Sequence, residues 1–312
     1  MKKFLTILFS VLAVVLLIPL VLGMVNNPET DELNDAARAN LPGDFMELPD
    51  GWTHYELSGP DHDETIVLIH GNSSPFFSFD HNAEALADAG FRVLRYDIFG
   101  HGFSDRPQTD FDHNLYDRQL MDLLDALEID GPVHLLGTSQ GGAVAVCFAA
   151  RHPERTGKIG LMAPLMDEFA GMKMAALLKS PAGGYMRRAF FDTMNLKSCS
   201  GYFSSDSLTD EFTEKYKQQM RFKGWKRAKL SNIRNMDLNA IRDSYGVIAE
   251  REESVLLTWG TEDKSIPKDS IDRMRHVLPG IEYREIEGAG HLAHYEKPEI
   301  LNPILTAFFS GR

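Results

Sequence analysis

A glycine-flanked serine is the residue of this chain best suited to act as a nucleophile. Gly137-Thr138-Ser139-Gln140-Gly141 follows a short apolar run, and a small-residue pattern typical of a helix begins directly after it. This order of strand, turn and helix is the context in which G-x-S-x-G forms a nucleophile elbow. Side chains at the two glycines would collide with the neighbouring strand and helix. The pattern alone is weak, since a glycine-rich turn with an exposed serine has the same sequence.

The elements on either side of the serine predict alternating strands and helices. The run Thr65–Ile69 is continuously apolar, which is typical of a strand buried on both faces of a parallel sheet. Alternating strands and helices favour the α/β class, with a parallel sheet covered by helices on both faces. The predicted elements are a hairpin over 45–48 and 52–57, strands over 65–69, 91–96, 132–136, 159–163, 254–259 and 281–286, and helices over 79–89, 114–127 and 298–310.

Five motifs, taken in their order and spacing, resemble the α/β-hydrolase family over residues 43–312. The resemblance implies the α/β-hydrolase fold, a mostly parallel eight-stranded sheet with helices on both faces and a helical cap insertion. It is far less specific for the substrate. The motifs are His70-Gly71-Asn72, Asp97-x-x-Gly100-His101-Gly102-x-Ser104, the elbow at Ser139, Gly260-Thr261-Glu262-Asp263 and Gly288-Ala289-Gly290-His291.

The resemblance also implies a role for each residue of the site. Family members carry their triad in the order serine, acid, histidine, which matches Ser139, Asp263 and His291. A serine hydroxyl becomes an effective nucleophile when an imidazole takes its proton, and a carboxylate holds that imidazole in the required tautomer. By the same analogy, the backbone N–H groups of Asn72 and Gln140 form the oxyanion hole.

Each assignment has a competing interpretation. Asp167, just after a predicted strand, is the alternative acid, because some family members place it there. His294 is the other histidine near the C-terminal loop, but it lacks the preceding Gly-x-Gly. His70 and His101 are predicted to be structural and to bond backbone groups in their turns. Glu262 is predicted to be a solvated neighbour of the acid.

Residues 165–250 form an insertion with helical patterning, which in this family is a cap over the active site. Its methionines and aromatic side chains suit an adaptable apolar pocket wall, although most of them are predicted only to pack the cap onto the body. The hydrolase core is then divided between residues 43–164 and 251–312. A local basic cluster is predicted to be a solvated helix face, and consists of Lys223, Lys226, Arg227 and Lys229.

The N-terminus begins Met1-Lys2-Lys3 and continues with an uncharged apolar run over Phe4–Val25. Such a run is long enough to span a bilayer, so residues 1–25 are predicted to be an uncleaved signal anchor. A cleaved secretory signal is the alternative. Residues 26–42 are predicted to be a linker. The charges around the run predict a catalytic domain facing the periplasm or exterior, tethered to the membrane.

Composition excludes several classes of function. The net charge is −13 and no dense basic patch is present, which argues against nucleic-acid binding. The two cysteines, Cys147 and Cys199, form no framework, and a disulfide between them is not favoured. No metal-binding or dinucleotide-binding spacing occurs, so we expect no cofactor and no metal. The oligomeric state is not predicted.

The sequence therefore predicts a serine hydrolase that cleaves carboxylic esters of apolar or lipid-like acyl groups through an acyl-enzyme on Ser139. A serine at this position excludes relatives with an aspartate nucleophile. Hydrolases of carbon–carbon bonds remain an alternative, although their glycine- and proline-rich oxyanion loop is missing from Asn72–Phe77. Thioesterase and cofactor-free haloperoxidase activities also remain. A binding module on the hydrolase fold is the rival from another class.

Overall fold

The computed structural model describes residues 2–61, 64–167 and 191–311. Residues 168–190, which belong to the predicted cap, therefore lie outside the described residues. Eight strands form one sheet in the order β1-β2-β4-β3-β5-β6-β7-β8. They are β1 (Asp44–Leu48), β2 (Gly51–Ser58), β3 (Thr65–Ile69), β4 (Arg92–Tyr96), β5 (Val133–Thr138), β6 (Thr156–Met162), β7 (Val255–Gly260) and β8 (Glu282–Ile286).

The sheet is mostly parallel, as predicted. Strands β1 and β2 form an antiparallel hairpin, and β2 pairs antiparallel with β4. From β4 through β3 to β8 every pairing is parallel. Parallel neighbours deliver their carboxyl ends to one edge, so the loops after β3, β5, β7 and β8 meet there.

Helices cover both faces of this sheet. The described helices are α1 (Lys2–Val25), α2 (Asp35–Arg38), α3 (Ala83–Asp88), α4 (His113–Ala126), α5 (Gln140–Arg151), α6 (Thr209–Met220), α7 (Trp225–Asn235), α8 (Leu238–Glu250), α9 (Lys268–Val277), α10 (Ala293–Glu296) and α11 (Pro298–Ser310), with a further helical stretch over residues 191–199. Val67 and Ile69 of β3 pack with α4 and α5, whereas Ile66 and Leu68 pack with α3 and α11. The apolar run of β3 is thus buried on both faces, as its composition predicted.

The N-terminal segment differs from the prediction. Residues Lys2–Val25 form the helix α1, of 24 residues. Among the residues that the structure describes, however, no helix combines the length and the apolar character needed to cross a bilayer. The predicted transmembrane anchor, and the membrane contact that depended on it, are therefore not supported. The segment predicted as a linker contains α2 and bonds to the insertion, where Asp31 bridges to Phe222.

The described part of the insertion contains α6, α7, α8 and the helical residues 191–199. Its aromatic side chains belong to an apolar cluster separate from the two clusters of the sheet, and this cluster includes Phe212, Tyr216 and Trp225. Leu292 and Tyr295, which follow the candidate base His291, belong to the same cluster. The insertion is therefore packed against the loop that carries this histidine.

Candidate active site

Ser139 lies in the sharp turn between β5 and α5. Its backbone has φ 54° and ψ −118°, a conformation that side-chain-bearing residues rarely adopt. The two flanking glycines make this turn possible: a Cβ on Gly141 would lie 2.0 Å from the Ile69 carbonyl oxygen, and one on Gly137 would lie 2.4 Å from the Gly141 carbonyl oxygen. The elbow is therefore enforced by backbone packing.

The surroundings of Ser139 suit a nucleophile. It lies directly before the N-terminus of α5, whose first N–H groups have no intrahelical acceptor. One of these is the N–H of Gln140, which is a predicted oxyanion donor. Gly71 lies beside the serine, since a Cβ there would be 3.1 Å from the Ser139 Cβ. Among the described residues, the His291 ring bonds Asp263 and not the Ser139 hydroxyl. Catalytic bonds of this kind often form only when substrate binds.

The candidate acid and base occupy the loops that follow β7 and β8. Backbone contacts join these two loops, since the Glu262 N–H donates to the Ala289 carbonyl at 2.9 Å. A Cβ on Gly260 would lie 2.3 Å from the Gly290 carbonyl oxygen, so the approach requires glycine. The pairing of neighbouring parallel strands thus brings the two motifs together.

His291 and Asp263 are in direct contact. Nδ1 of His291 lies 2.9 Å from Oδ2 of Asp263, and the side chains are 5% and 0% exposed. Oδ1 of Asp263 accepts hydrogen bonds from the backbone N–H groups of Ser265 (2.7 Å) and Ile266 (3.0 Å). Because a carboxylate only accepts, the imidazole proton lies on Nδ1, and Nε2 is left as the basic nitrogen.

Asp167, the alternative acid, is engaged elsewhere. Its carboxylate oxygens lie 3.1 Å from Nε of Arg242 and 2.8 Å from Nε of Arg273. Burial raises the pKa of Asp167, but the hydrogen bonds and charges of these guanidinium groups outweigh it, and the pKa is lowered. Its contacts link α8 to α9, and in the described structure it bonds no histidine.

The predicted oxyanion loop is a tight turn. Gly71 and Ser74 form a β-bridge around Asn72. His70 accepts a hydrogen bond at Nε2 from the Ile98 N–H (3.0 Å), so its proton lies on Nδ1, which donates to the Gly71 carbonyl (2.7 Å). His101 contacts the Phe99 carbonyl (3.2 Å) and Oδ1 of Asn72 (3.1 Å). The prediction that His70 and His101 bond backbone in their turns is confirmed.

A buried carboxylate next to this loop belongs to Asp97, the first residue of one of the five motifs, for which no role was predicted. Asp97 is fully buried and lies 2.6 Å from Nδ1 of His54, while its oxygens also accept from the N–H groups of Phe76 and Phe103 (both 2.9 Å). Burial raises the pKa of Asp97, but the hydrogen bond and charge of His54, with the hydrogen bond from the Phe76 N–H, outweigh it and lower the pKa well below its ordinary value. Asp97 thus links His54 of β2 to the loops that contain Phe76 and Phe103, next to the candidate site.

Two polar residues on α7 were also missed as parts of the site. Lys229 was predicted to lie on a solvated face, yet it is 1% exposed and its Nζ donates to Asn72 and Ser73. Asn232 is equally buried and bonds Gln140. The signal was helical periodicity, because Trp225, Ala228, Lys229 and Asn232 share the buried side of α7. That prediction of a wholly solvated cluster is wrong for Lys229.

Neither cysteine is bonded to the other, and both thiols are free and buried. Within residues 2–61, 64–167 and 191–311, no group of three or more histidine, cysteine, aspartate or glutamate side chains is arranged to hold a metal ion. The groups that the structure brings to this edge of the sheet are a serine, an imidazole paired with a carboxylate, and the backbone N–H groups at the start of α5.

Comparison with known proteins places the chain in a family. The sequence model of the alpha/beta hydrolase fold matches residues 64–298. A 2-hydroxy-6-oxononadienedioate/2-hydroxy-6-oxononatrienedioate hydrolase of Escherichia coli K12 is 29% identical over 258 residues, covering 80% of this chain and 88% of that protein.

Solved structures agree on the fold. A meta-cleavage product hydrolase, CumD, from Pseudomonas fluorescens IP01 aligns with a TM-score of 0.70 at 23% identity, covering 86% of this chain and 98% of that one. An esterase from Exiguobacterium antarcticum aligns with a TM-score of 0.71 at 20% identity, covering 86% and 100%. With a family match over most of its length, this chain belongs to the α/β-hydrolase fold family.

Proposed function

We propose that this protein is a serine hydrolase that cleaves carboxylic esters of apolar or lipid-like acyl groups through an acyl-enzyme on Ser139. The observation that supports this most directly is the strained serine (φ 54°, ψ −118°) at the N-terminus of α5, on the same sheet edge as the His291–Asp263 pair. Strain of this kind persists where the surroundings over-determine it, and it is common at active sites. Membership of a hydrolase family supports the general reaction class.

The steps follow from the roles of the groups. Nε2 of His291 accepts the Ser139 proton as Oγ attacks the ester carbonyl carbon. The carbonyl oxygen becomes an oxyanion that accepts from the N–H groups of Asn72 and Gln140. His291 then protonates the departing alcohol, leaving the acyl group on Oγ. Water, deprotonated by the same nitrogen, attacks the acyl carbon and frees the acid and Ser139.

The acyl pocket is proposed to be covered by the insertion, residues 165–250, acting as a cap. Its described helices α6 and α7 carry a buried apolar cluster next to the His291 loop, and Tyr202 lies 5.7 Å from the His291 ring, centroid to centroid. Aromatic walls near the base favour an apolar acyl group over a charged one.

The second candidate is hydrolysis of a carbon–carbon bond. It is favoured by the 29% identical Escherichia coli relative, whose name gives 2-hydroxy-6-oxononadienedioate as its substrate. The same triad could serve both reactions. One observation argues against it: the oxyanion loop reads Asn72-Ser73-Ser74-Pro75 and lacks the glycine- and proline-rich sequence of carbon–carbon bond hydrolases. The nearby Lys229 already donates to the Asn72 carbonyl, Oδ1 of Asn72 and Oγ of Ser73, so its three donors are engaged and are not directed at a substrate carboxylate.

One experiment separates the candidates. The full chain and its Ser139→Ala variant are treated with a fluorophosphonate probe, then assayed on p-nitrophenyl esters from acetate to dodecanoate and on 2-hydroxy-6-oxononadienedioate. We expect labelling and ester turnover in the wild type alone, rising with chain length. Turnover of the dienedioate without ester turnover would select the second candidate. Absence of labelling at Ser139 would contradict both and leave the binding module.

The cellular location is a separate proposal. The remaining prediction for the N-terminus is a secretory signal cleaved close to Val21-Leu22-Gly23. The mass and N-terminal sequence of the protein recovered from expressing cells and from their medium test it. A chain that starts at Met1 in every fraction would contradict cleavage.

A further inference from the structure

Two residues three positions apart on α7 contact both loops that provide the oxyanion donors. Asn232 and Gln140 form a reciprocal amide pair: Nδ2 of Asn232 donates to Oε1 of Gln140 at 2.8 Å, and Nε2 of Gln140 donates to Oδ1 of Asn232 at 3.0 Å. Nδ2 of Asn232 also lies 3.3 Å from Oδ1 of Asn72. One side chain of the insertion thus touches the side chains of both predicted oxyanion residues.

Lys229 secures the other half of the site. Its Nζ donates to the Asn72 carbonyl, to Oδ1 of Asn72 at 3.0 Å and to Oγ of Ser73 at 3.1 Å. An ammonium group has three donors, and these three acceptors use them. Oδ1 of Asn72 is also 3.1 Å from Nε2 of His101. The Asn72 side chain is therefore held from the insertion on one side and from the body on the other.

The side chains that make these contacts are buried, so water cannot replace a hydrogen bond that is lost. Gln140, Lys229 and Asn232 are 4%, 1% and 1% exposed. An unpaired buried amide is strongly unfavourable, so the three groups favour a single position of α7 on the two loops. Burial lowers the pKa of Lys229 to about 7, which further requires that its acceptors stay in place to retain the proton.

We propose that Asn232 and Lys229 are positioning residues that set the spacing between the Asn72 and Gln140 N–H groups, so that the oxyanion hole is complete only when α7 is seated. The inference rests on the proposed function of Ser139. Oxyanion donors act through preorganisation, and an error of about 1 Å in placement can cost on the order of 100-fold in rate. The insertion then takes part in catalysis as well as covering the substrate.

The test compares two asparagines of the same helix in the full chain. Asn232→Ala removes the bridge, whereas Asn235→Ala removes an amide whose partners among the described residues are Asp110 and Ser231, away from the site. For Asn232→Ala we expect kcat and the rate of Ser139 phosphonylation to fall about 10- to 100-fold, with KM changing less than about threefold. Binding of a trifluoromethyl ketone, whose adduct on Ser139 carries an oxyanion, should weaken by a similar factor. Asn235→Ala should leave all of these unchanged.

A double-mutant cycle distinguishes an effect of Asn232 that acts through Gln140 from a general loss of structure. If Asn232 acts through Gln140, adding Asn232→Ala to Gln140→Ala should lower kcat by much less than it does in the wild type. Equal losses in Asn232→Ala and Asn235→Ala, additive losses in the cycle, or an unchanged phosphonylation rate in a folded Asn232→Ala would overturn the inference. A wild type that the probe does not label would instead remove the proposed function on which it rests.

Discussion

The body of the protein and its insertion position the candidate catalytic groups in different ways. In the body, backbone packing positions them: at Gly137, Gly141 and Gly260 the chain comes so close to another backbone segment that a Cβ would clash. In the insertion, side chains do so, through the buried polar contacts of Lys229 and Asn232. The comparison teaches that the candidate nucleophile, acid and base depend on close backbone contacts, whereas the oxyanion hole that we propose would also depend on a helix about 90 residues beyond Gln140 in the chain.

The largest effect should come from removing the charge of Asp263. Asp263→Asn would leave a neutral amide beside His291 and destabilise both the required tautomer and the imidazolium, so kcat should fall on the order of 10³- to 10⁴-fold. Asp167→Asn, at the alternative acid, removes the ion pairs of Asp167 with Arg242 of α8 and Arg273 of α9, neither of which belongs to the candidate site. It should leave kcat within about twofold. Steady-state ester kinetics on both variants measure this, and the reverse ranking would show that the acid has been assigned to the wrong residue.

The elbow glycine should give the next effect. In Gly141→Ala the new Cβ would lie 2.0 Å from a backbone oxygen of β3, which cannot rotate away. Overpacking typically costs about 1–3 kcal/mol and occasionally more, and a clash with backbone should lie at the upper end. The serine should also lose its placement. Urea unfolding and fluorophosphonate labelling report the two losses. A variant with wild-type stability and labelling would break the claim that backbone packing alone sets the elbow.

A buried histidine of the body should make the stability of the protein depend on acid. His294 is fully buried and, unlike Lys229 of the insertion, has no hydrogen-bond partner for its side chain among the described residues. Burial, helped by the charge of His291, lowers the pKa of His294 to about 3. The unfolded chain takes up this proton near pH 6.5 and the folded chain does not, so stability falls as the pH drops below about 6.5.

This loss should reach about 2 kcal/mol at pH 5 relative to pH 8. His294→Phe should remove that part of the pH dependence, because phenylalanine cannot take up the proton, and it suits a site where the ring already packs on Phe79. Urea unfolding at both pH values measures it. The free energy of unfolding of His294→Phe at pH 8 is the control, because it shows whether the substitution alters the packing. An unchanged difference between the two pH values would show that other groups cause the acid loss.

The same contrast explains what could be predicted from the sequence. The mostly parallel sheet, the elbow at Ser139 and the His291–Asp263 contact could be predicted because they follow from motifs in which a few adjacent residues define the backbone. Lys229 could not be assigned in this way, because its partners Asn72 and Ser73 lie in another element, and a lysine in a basic cluster is ordinarily solvated. The N-terminal run was judged on composition alone, and the predicted membrane span was not supported.

The smallest effect concerns a glycine of the insertion and sharpens the contrast with Gly141. Gly246 lies inside α8, and a Cβ built there meets no atom within 4 Å. Alanine loses less backbone entropy on folding than glycine, so Gly246→Ala should stabilise the protein by about 0.5–1 kcal/mol. Urea unfolding at pH 8 measures the gain, and kcat should not change because no contact of α7 is altered. Destabilisation would mean that α8 depends on close backbone packing as the elbow does, and the distinction between the two regions would then fail for this helix.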